Sequence, residues 1–298
     1  MMSCSDEQQY LNLVRDVLEH GTERKNERTG TGTLALFGRT CRYDLTGGKL
    51  PLFTTKKVSF QNVLAELIFF LRGKSHVSWL HQHKCHIWDG NSSREYLDSV
   101  GLTHYPEGTL GPVYGCQWRN FGGDYQGADA DTGDSRYGEN KGVDQLAEVI
   151  EQLKNNPESR RHIVVAWNPT VLTQVALPAC HTMFQFFVEG RHLSCLMYQR
   201  SADLGLGVPY NVASYSLLTH IIAHLTGLQA KEFVHVMGDV HVYLNHVPIL
   251  RQQLERKPKT PPYVSLDHQL KRLDDIEMEH VSVKQYHHHG KLCMKMAI

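Results

Sequence analysis

The run VPYNVASYSLLTHIIAHLTGL, residues 208–228, is the feature that most restricts the fold: Val212, Tyr215, Leu218, Ile221, Ile222 and Leu225 recur at helical spacing and the pattern ends at Gly227. A helix of that length must bury its apolar stripe against another layer. Two strand-like runs, Met183 to Val188 and Leu193 to Tyr198, lie just before it, and the arginines of ESRRHIVVAW abut a third β-branched run. Further helices are predicted over residues 8–19, with Leu11, Val14, Val17 and Leu18 as the stripe, from Ser59 to Gly73, and from Val143 to Lys154. After the turn ERTGTGT, the stretch LALFG reads as a strand. The expectation is α+β: a single domain over 1–298 with a mixed sheet packed by helices. Residues 1–7 are expected to be flexible, and the Gly- and Asp-rich stretch 120–142 to be a surface loop insertion.

Forty-one per cent of the 298 residues are hydrophobic, enough for a sizeable core. The 31 Lys and Arg balance the 31 Asp and Glu, which argues against a polyanion such as nucleic acid as substrate. Seven cysteines, odd in number and without CxxC spacing, argue against a disulfide framework and a zinc site. With no leader-like start and no apolar run long enough to span a bilayer, a soluble protein of a reducing compartment is expected. No HExxH occurs, and the run HHHG at 287–290 reads as solvated surface, so no metal is expected.

The stretch LPACHTMFQFF sets Cys180 beside His181. In an extended chain neighbouring side chains diverge, so His181 is a poor candidate for the base of Cys180, and a nucleophilic thiol there needs another group to favour its thiolate. A buried, inert cysteine is the plain alternative. Glu66 interrupts the apolar stripe of the second helix beside Val63, Phe69 and Phe70; it is either a carboxyl at the edge of the face or one raised in pKa for acid–base work.

ERTGTGT, LPLFTTKK, AELIFFLRG, HIWDGN, LGPVYGCQWR, ESRRHIVVAWNP, LPACH, SCLMYQRSADLGLGVPYNVASY and GDVHVYLNHV, in this order and spacing, resemble the thymidylate synthase family from about Leu11 to the carboxyl terminus. The resemblance implies reductive methylation of dUMP to dTMP, with 5,10-methylenetetrahydrofolate giving both carbon and hydride and leaving as dihydrofolate. Cys180 then matches the nucleophile that attacks uracil C6, with the Arg200 guanidinium beside it. Arg28, Arg160, Arg161, Arg200 and Ser201 match the phosphate set. The pair Arg160 and Arg161 is expected to reach the partner's site in a two-fold homodimer.

The same resemblance gives Asn211 the pyrimidine edge, its amide pairing with O4 and N3–H. His241 and Tyr243 match the ribose hydroxyl pair; polar residues packed on a helix is their other reading. Glu66, Tyr114 and Gln199 match the proton network, Asp203 the pterin carboxylate that also borders dUMP, and Ile87, Trp88, Gly207 and Tyr210 the folate surface. Lys56 is expected near the folate glutamate tail, and Ile298 ends a tail that closes over the ligands and excludes water. Ala179, Phe69 and Tyr210 replace the usual proline, tryptophan and phenylalanine, and none is a reacting group. A nucleotide hydroxymethylase on the same scaffold is disfavoured by Trp88 and Asn211. The expected location is the cytoplasm, or the nucleus or mitochondrion of a eukaryotic cell.

Overall fold

The computed structural model describes residues 6–25, 30–125, 127 and 141–296. Helix α1 (Asp6–His20) leads through β1 (Thr22–Arg24) into β2 (Thr33–Asp44). Helix α2 (Phe60–Leu71) starts at Ser59, whose side chain accepts the Asn62 N–H. Four short helices follow, α3 (Ser78–Gln82), α4 (Asp89–Ser92), α5 (Arg94–Ser99) and α6 (Tyr114–Asn120), and then α7 (Gln145–Asn155). The remainder holds β3 (Ile163–Val165), β4 (His181–Glu189), β5 (His192–Asp203), α8 (Gly207–Thr226), β6 (Gln229–Tyr243), α9 (Val247–Leu254), β7 (Tyr263–Leu266) and β8 (Val281–Lys284).

Six strands form one mixed sheet in the order β1-β2-β6-β5-β4-β3, and β7 pairs with β8 separately. All neighbours in the large sheet are antiparallel except β5 and β6. A parallel pair needs a crossover, and α8 provides it. Gly227 ends α8 in the left-handed region, φ 72°, where glycine carries no Cβ penalty. The α+β class read from the sequence is therefore the class of the fold.

Two helices depart from the simple stripe expected of them. Helix α8 is buried almost all round, because it packs on β5 and β6 and also against α2, α7 and β7. Helix α2 is buried from Val63 to Leu71 with Glu66 as the one break. Close packing explains Gly115: a Cβ there would lie 2.6 Å from the Phe70 carbonyl oxygen, so only glycine lets α6 sit this near α2.

An aromatic chain fills the space between helices and sheet. Tyr43 stacks on Phe233, Phe233 on Tyr215, and Trp118 meets both Phe184 and Phe70 edge-on. On the opposite side of the sheet, Phe187 of β4 is 61% exposed, with Leu196 of β5 and Ile163 of β3 also exposed.

The flexible start expected for residues 1–7 is corrected at Asp6 and Glu7, which begin α1; residues 1–5 lie outside those described. Glu7 is buried, and its carboxylate accepts four hydrogen bonds: the N–H and hydroxyl of Thr54 at 2.8 and 2.6 Å and those of Thr55 at 2.7 and 2.6 Å. This contact ties α1 to the turn ahead of α2. Most of the loop expected over 120–142 lies outside the described residues, but its ends meet at the Phe121–Val143 bridge.

A carboxylate holding four donors without competing water should be hard to replace. Glu7→Gln would aim amide hydrogens at two donors, and the expected loss of unfolding free energy in urea titration is about 2–3 kcal/mol. An unchanged midpoint would mean that the Glu7 contact does not hold α1.

Candidate active site

A cavity of about 320 Å³ opens where the carboxyl end of β5, the start of α8 and the end of β6 converge. Glu66 of α2, Tyr114 of α6 and the connections holding Ile87, Trp88 and Leu177 complete its lining. Strand register explains the convergence: Asp203 pairs with His241 across β5 and β6, and Gly207 opens α8 four residues beyond Asp203. His241 and Tyr243 are thus strand residues, which corrects the reading that set them on a helix. A hollow of about 450 Å³, lined by residues such as Gly47, Gly48, His220 and His224, holds none of the residues expected in the site.

The cavity brings together Cys180, Glu66, Tyr114, Gln199, Ser201, Asp203 and Asn211, with His241 and Tyr243 at one side. Ile87, Trp88, Gly207 and Tyr210 line the rest. Arg200 stands directly behind Cys180. Lys56 is not on the wall. It is buried and donates to the carbonyl of Gly205, and burial lowers its ammonium to about 8 against the pull of Asp203 and Glu7. Arg160 and Arg161 are exposed just ahead of β3 and do not line this cavity. Arg28 and Ile298 lie outside the described residues.

Arg200 is fixed from three sides. Its Nε donates to the Ala179 carbonyl at 2.8 Å, Nη2 donates to the Pro178 carbonyl at 2.8 Å, and the guanidinium lies 5.2 Å from the centre of the Trp167 ring. The same Nη2 is 3.8 Å from Cys180 Sγ. A cation held at that distance favours negative charge on the sulfur without being able to take its proton.

His181 turns elsewhere. Its Nδ1 contacts the Tyr215 hydroxyl at 2.7 Å and its ring stacks on Tyr114 at 4.0 Å. Burial, with a smaller contribution from His235, lowers it to about 3, so the imidazole is neutral at physiological pH and a weak base. The adjacent histidine is not the partner of Cys180.

Tyr114 joins the two halves of the site. Its hydroxyl oxygen accepts the Cys180 N–H at 2.7 Å, while burial holds the phenol well above its usual range. It remains neutral, with its own hydrogen available as a donor. Glu66, half-buried with its open side on the cavity, accepts the Trp88 indole N–H at 2.8 Å. Desolvation raises its carboxyl to about 7 and outweighs that hydrogen bond. The proton of Glu66 is therefore exchangeable near neutral pH.

The amide of Asn211 is oriented by a relay that sequence reasoning missed. Buried His235, pushed down to about 3 and hence neutral, sits with Nε2 2.8 Å from Gln199 Oε1. Acting as donor there, it leaves the Gln199 amide nitrogen to donate to Asn211 Oδ1 at 3.1 Å and to the Ser201 carbonyl at 2.8 Å. The alternation on β6 could have marked His235 as inward-facing, since Phe233 and Met237 are buried with it. Asp203 accepts the backbone N–H groups of Gly205 and Leu206 at 2.8 and 3.2 Å, which shapes the turn into α8.

Asn91, Leu177 and Leu206 also line the cavity and were not foreseen, and Met296 of the carboxyl-terminal tail lines it too. Met296 arrives because buried His246 anchors the tail, its Nε2 lying 2.7 Å from the Lys295 carbonyl oxygen. His241 Nδ1 contacts Asp239 at 2.9 Å, a contact that lowers the Asp239 carboxyl with help from Arg24.

Residues 8–298 match the family model described as thymidylate synthase. A bifunctional dihydrofolate reductase-thymidylate synthase of Zea mays is 50% identical over 98% of this chain, which covers 55% of that relative. A second bifunctional relative, described as putative, from Oryza sativa subsp. japonica is covered to 58%, so the chain spans just over half the length of these two. The thymidylate synthase of equine herpesvirus 2 is 48% identical with 98% of each chain covered. The thymidylate synthase of Homo sapiens is 46% identical over 98% of this chain and 91% of its own. A cysteine backed by a fixed guanidinium, facing an amide and a titratable carboxyl across one cavity, thus stands in a chain that belongs to the thymidylate synthase family.

Proposed function

We propose that this chain methylates dUMP at C5 to give dTMP, taking carbon and hydride from 5,10-methylenetetrahydrofolate and releasing dihydrofolate. The observation that carries this reading is the 3.8 Å contact between Arg200 Nη2 and Cys180 Sγ on the wall that also bears Asn211. Uracil C5 is a weak nucleophile until a group adds at C6. Cys180 supplies that group: its sulfur forms the bond to C6 while electrons move toward C5 and O4. Arg200 steadies the sulfur before attack and when it leaves.

The Asn211 amide pairs with the pyrimidine edge, and the His235 to Gln199 relay holds its orientation. Glu66 in its protonated form donates toward the network at O4 as charge develops there, a role suited to a carboxyl near 7. Tyr114, a neutral donor at the same wall, takes part in handling the C5 proton. Trp88, Ile87 and Tyr210 form the apolar surface for the folate rings, and Asp203 receives pterin donors. The tail that brings Met296 to the cavity covers the reacting atoms and excludes water.

A homodimer with shared sites belongs to the same proposal. The sheet face opposite α8 carries exposed Phe187, Leu196 and Ile163, the kind of apolar surface a second copy covers. Arg160 and Arg161 are exposed and are not among the residues lining the cavity that holds Cys180, and they fit the role of phosphate ligands to the partner, with Arg28 and Ser201 completing the set. A reducing compartment such as the cytoplasm fits the free thiols of Cys41, Cys85, Cys116, Cys180, Cys195 and Cys293.

If Glu66 acts protonated, its contribution fades as pH rises through about 7. Glu66→Gln is expected to lower kcat roughly 10²-fold and to remove that limb from the pH profile of kcat/KM; the same limb surviving in the variant would assign it to another group. Cys180→Ala homodimers should bind dUMP yet lose turnover. Mixed with Arg161→Glu chains they should regain activity, in heterodimers that hold one intact site. Verified heterodimers without recovered activity would overturn shared sites.

A further inference from the structure

His81, His86 and Asp89 gather on the outer side of the wall that carries Ile87 and Trp88. His81 is in α3, His86 in the connection, and Asp89 is the first residue of α4. One carboxylate spans both rings: Asp89 Oδ1 is 2.7 Å from His81 Nε2, and Oδ2 is 2.9 Å from His86 Nδ1. The rings lie 4.9 Å apart at 27°, and one ligand atom from each of the three residues falls within 4.8 Å of the others. All three side chains are exposed to incoming ions.

We propose that His81 Nε2, His86 Nδ1 and an Asp89 oxygen form a three-ligand site for a borderline divalent cation, Zn²⁺ first among them. Two imidazoles and a carboxylate suit zinc, copper or nickel, whereas calcium and magnesium call for all-oxygen shells. Bond lengths of about 2.0–2.2 Å to nitrogen and oxygen put tetrahedral ligand atoms roughly 3.3 Å apart. The three ligand atoms now lie within 4.8 Å of one another, so binding draws the longest side in by up to about 1.5 Å, a movement open to exposed side chains, while the short contact between Asp89 and a ring nitrogen lengthens by about half an ångström.

No ring has to ionise. The proton that each histidine now directs at Asp89 moves to its other ring nitrogen, and the freed lone pair faces the ion. Water completes the shell on the exposed side. The ion ties α3 to the first turn of α4, bracing from outside the segment whose inner surface is Ile87 and Trp88. His83 stays out of the set, since its Nδ1 contacts the Trp79 carbonyl at 2.8 Å and its ring stacks on Trp79.

The test is calorimetric titration of the metal-free, untagged full chain with Zn²⁺ alone. One stoichiometric site is expected, weakened tenfold or more in His86→Ala and in Asp89→Asn, and unchanged when His287, His288 and His289 are all replaced by alanine. Circular dichroism checks that these surface variants fold. Absence of zinc uptake would overturn the proposal. So would uptake that survives both site variants, or uptake that disappears with the 287–289 run.

Discussion

The parallel pairing of β5 with β6 is the constraint on which the rest depends. Two parallel strands joined in sequence must be bridged by a crossover, and α8 is that bridge. The carboxyl ends of both strands and the amino end of the crossover helix then meet at one edge of the sheet. Ligand crevices form at such ends in open sheets, where loops diverge and side chains of several elements face one space. Here Ser201 and Asp203 arrive from β5, His241 and Tyr243 from β6, and Asn211 from the first turns of α8. Residues scattered over forty positions become neighbours because the hydrogen-bond register pairs Asp203 with His241.

The chemistry of the site rests on holding polar groups where water would otherwise solvate them. Arg200 lies between two carbonyls and an indole, and its remaining reach ends at the Cys180 sulfur. Glu66 and His181 show the complementary effect: burial raises one and lowers the other, so both are biased toward neutral forms. Neutral His181 packs against Tyr114 and Tyr215 as part of the aromatic wall. This resolves the ambiguity of the LPACH stretch, in which the histidine adjacent to Cys180 is packing and the side chain beside its sulfur is the sequence-distant Arg200.

Much of this was legible beforehand, and the gaps have physical causes. Helices α2, α7 and α8 and strands β4 and β5 were readable because period and terminators agreed, as with Gly227 after Leu225. Central strand β6 was harder, since residues such as His235, Asp239 and His241 interrupt its apolar alternation in the service of the site. Glu7 was missed because a lone acid near the amino terminus reads as solvated; its four donors come from Thr54 and Thr55, some 47 positions away. Lys56 is the converse case, because sequence marks a lysine near a site without saying whether it reaches the surface, and this one is buried. Most residues expected in the site do line one cavity, while Arg160 and Arg161 are not among the residues that line it.

The central claim is that this cavity turns dUMP into dTMP through Cys180, and the most direct test reads the nucleotide itself. Purified protein would be incubated with dUMP and 5,10-methylenetetrahydrofolate and the nucleotide pool analysed by mass spectrometry. The account predicts conversion of dUMP to a product carrying one methyl group at C5, with dihydrofolate formed in equal amount. A hydroxymethylated nucleotide would contradict the reading of a cavity that excludes water, and unchanged dUMP would contradict the proposed reaction.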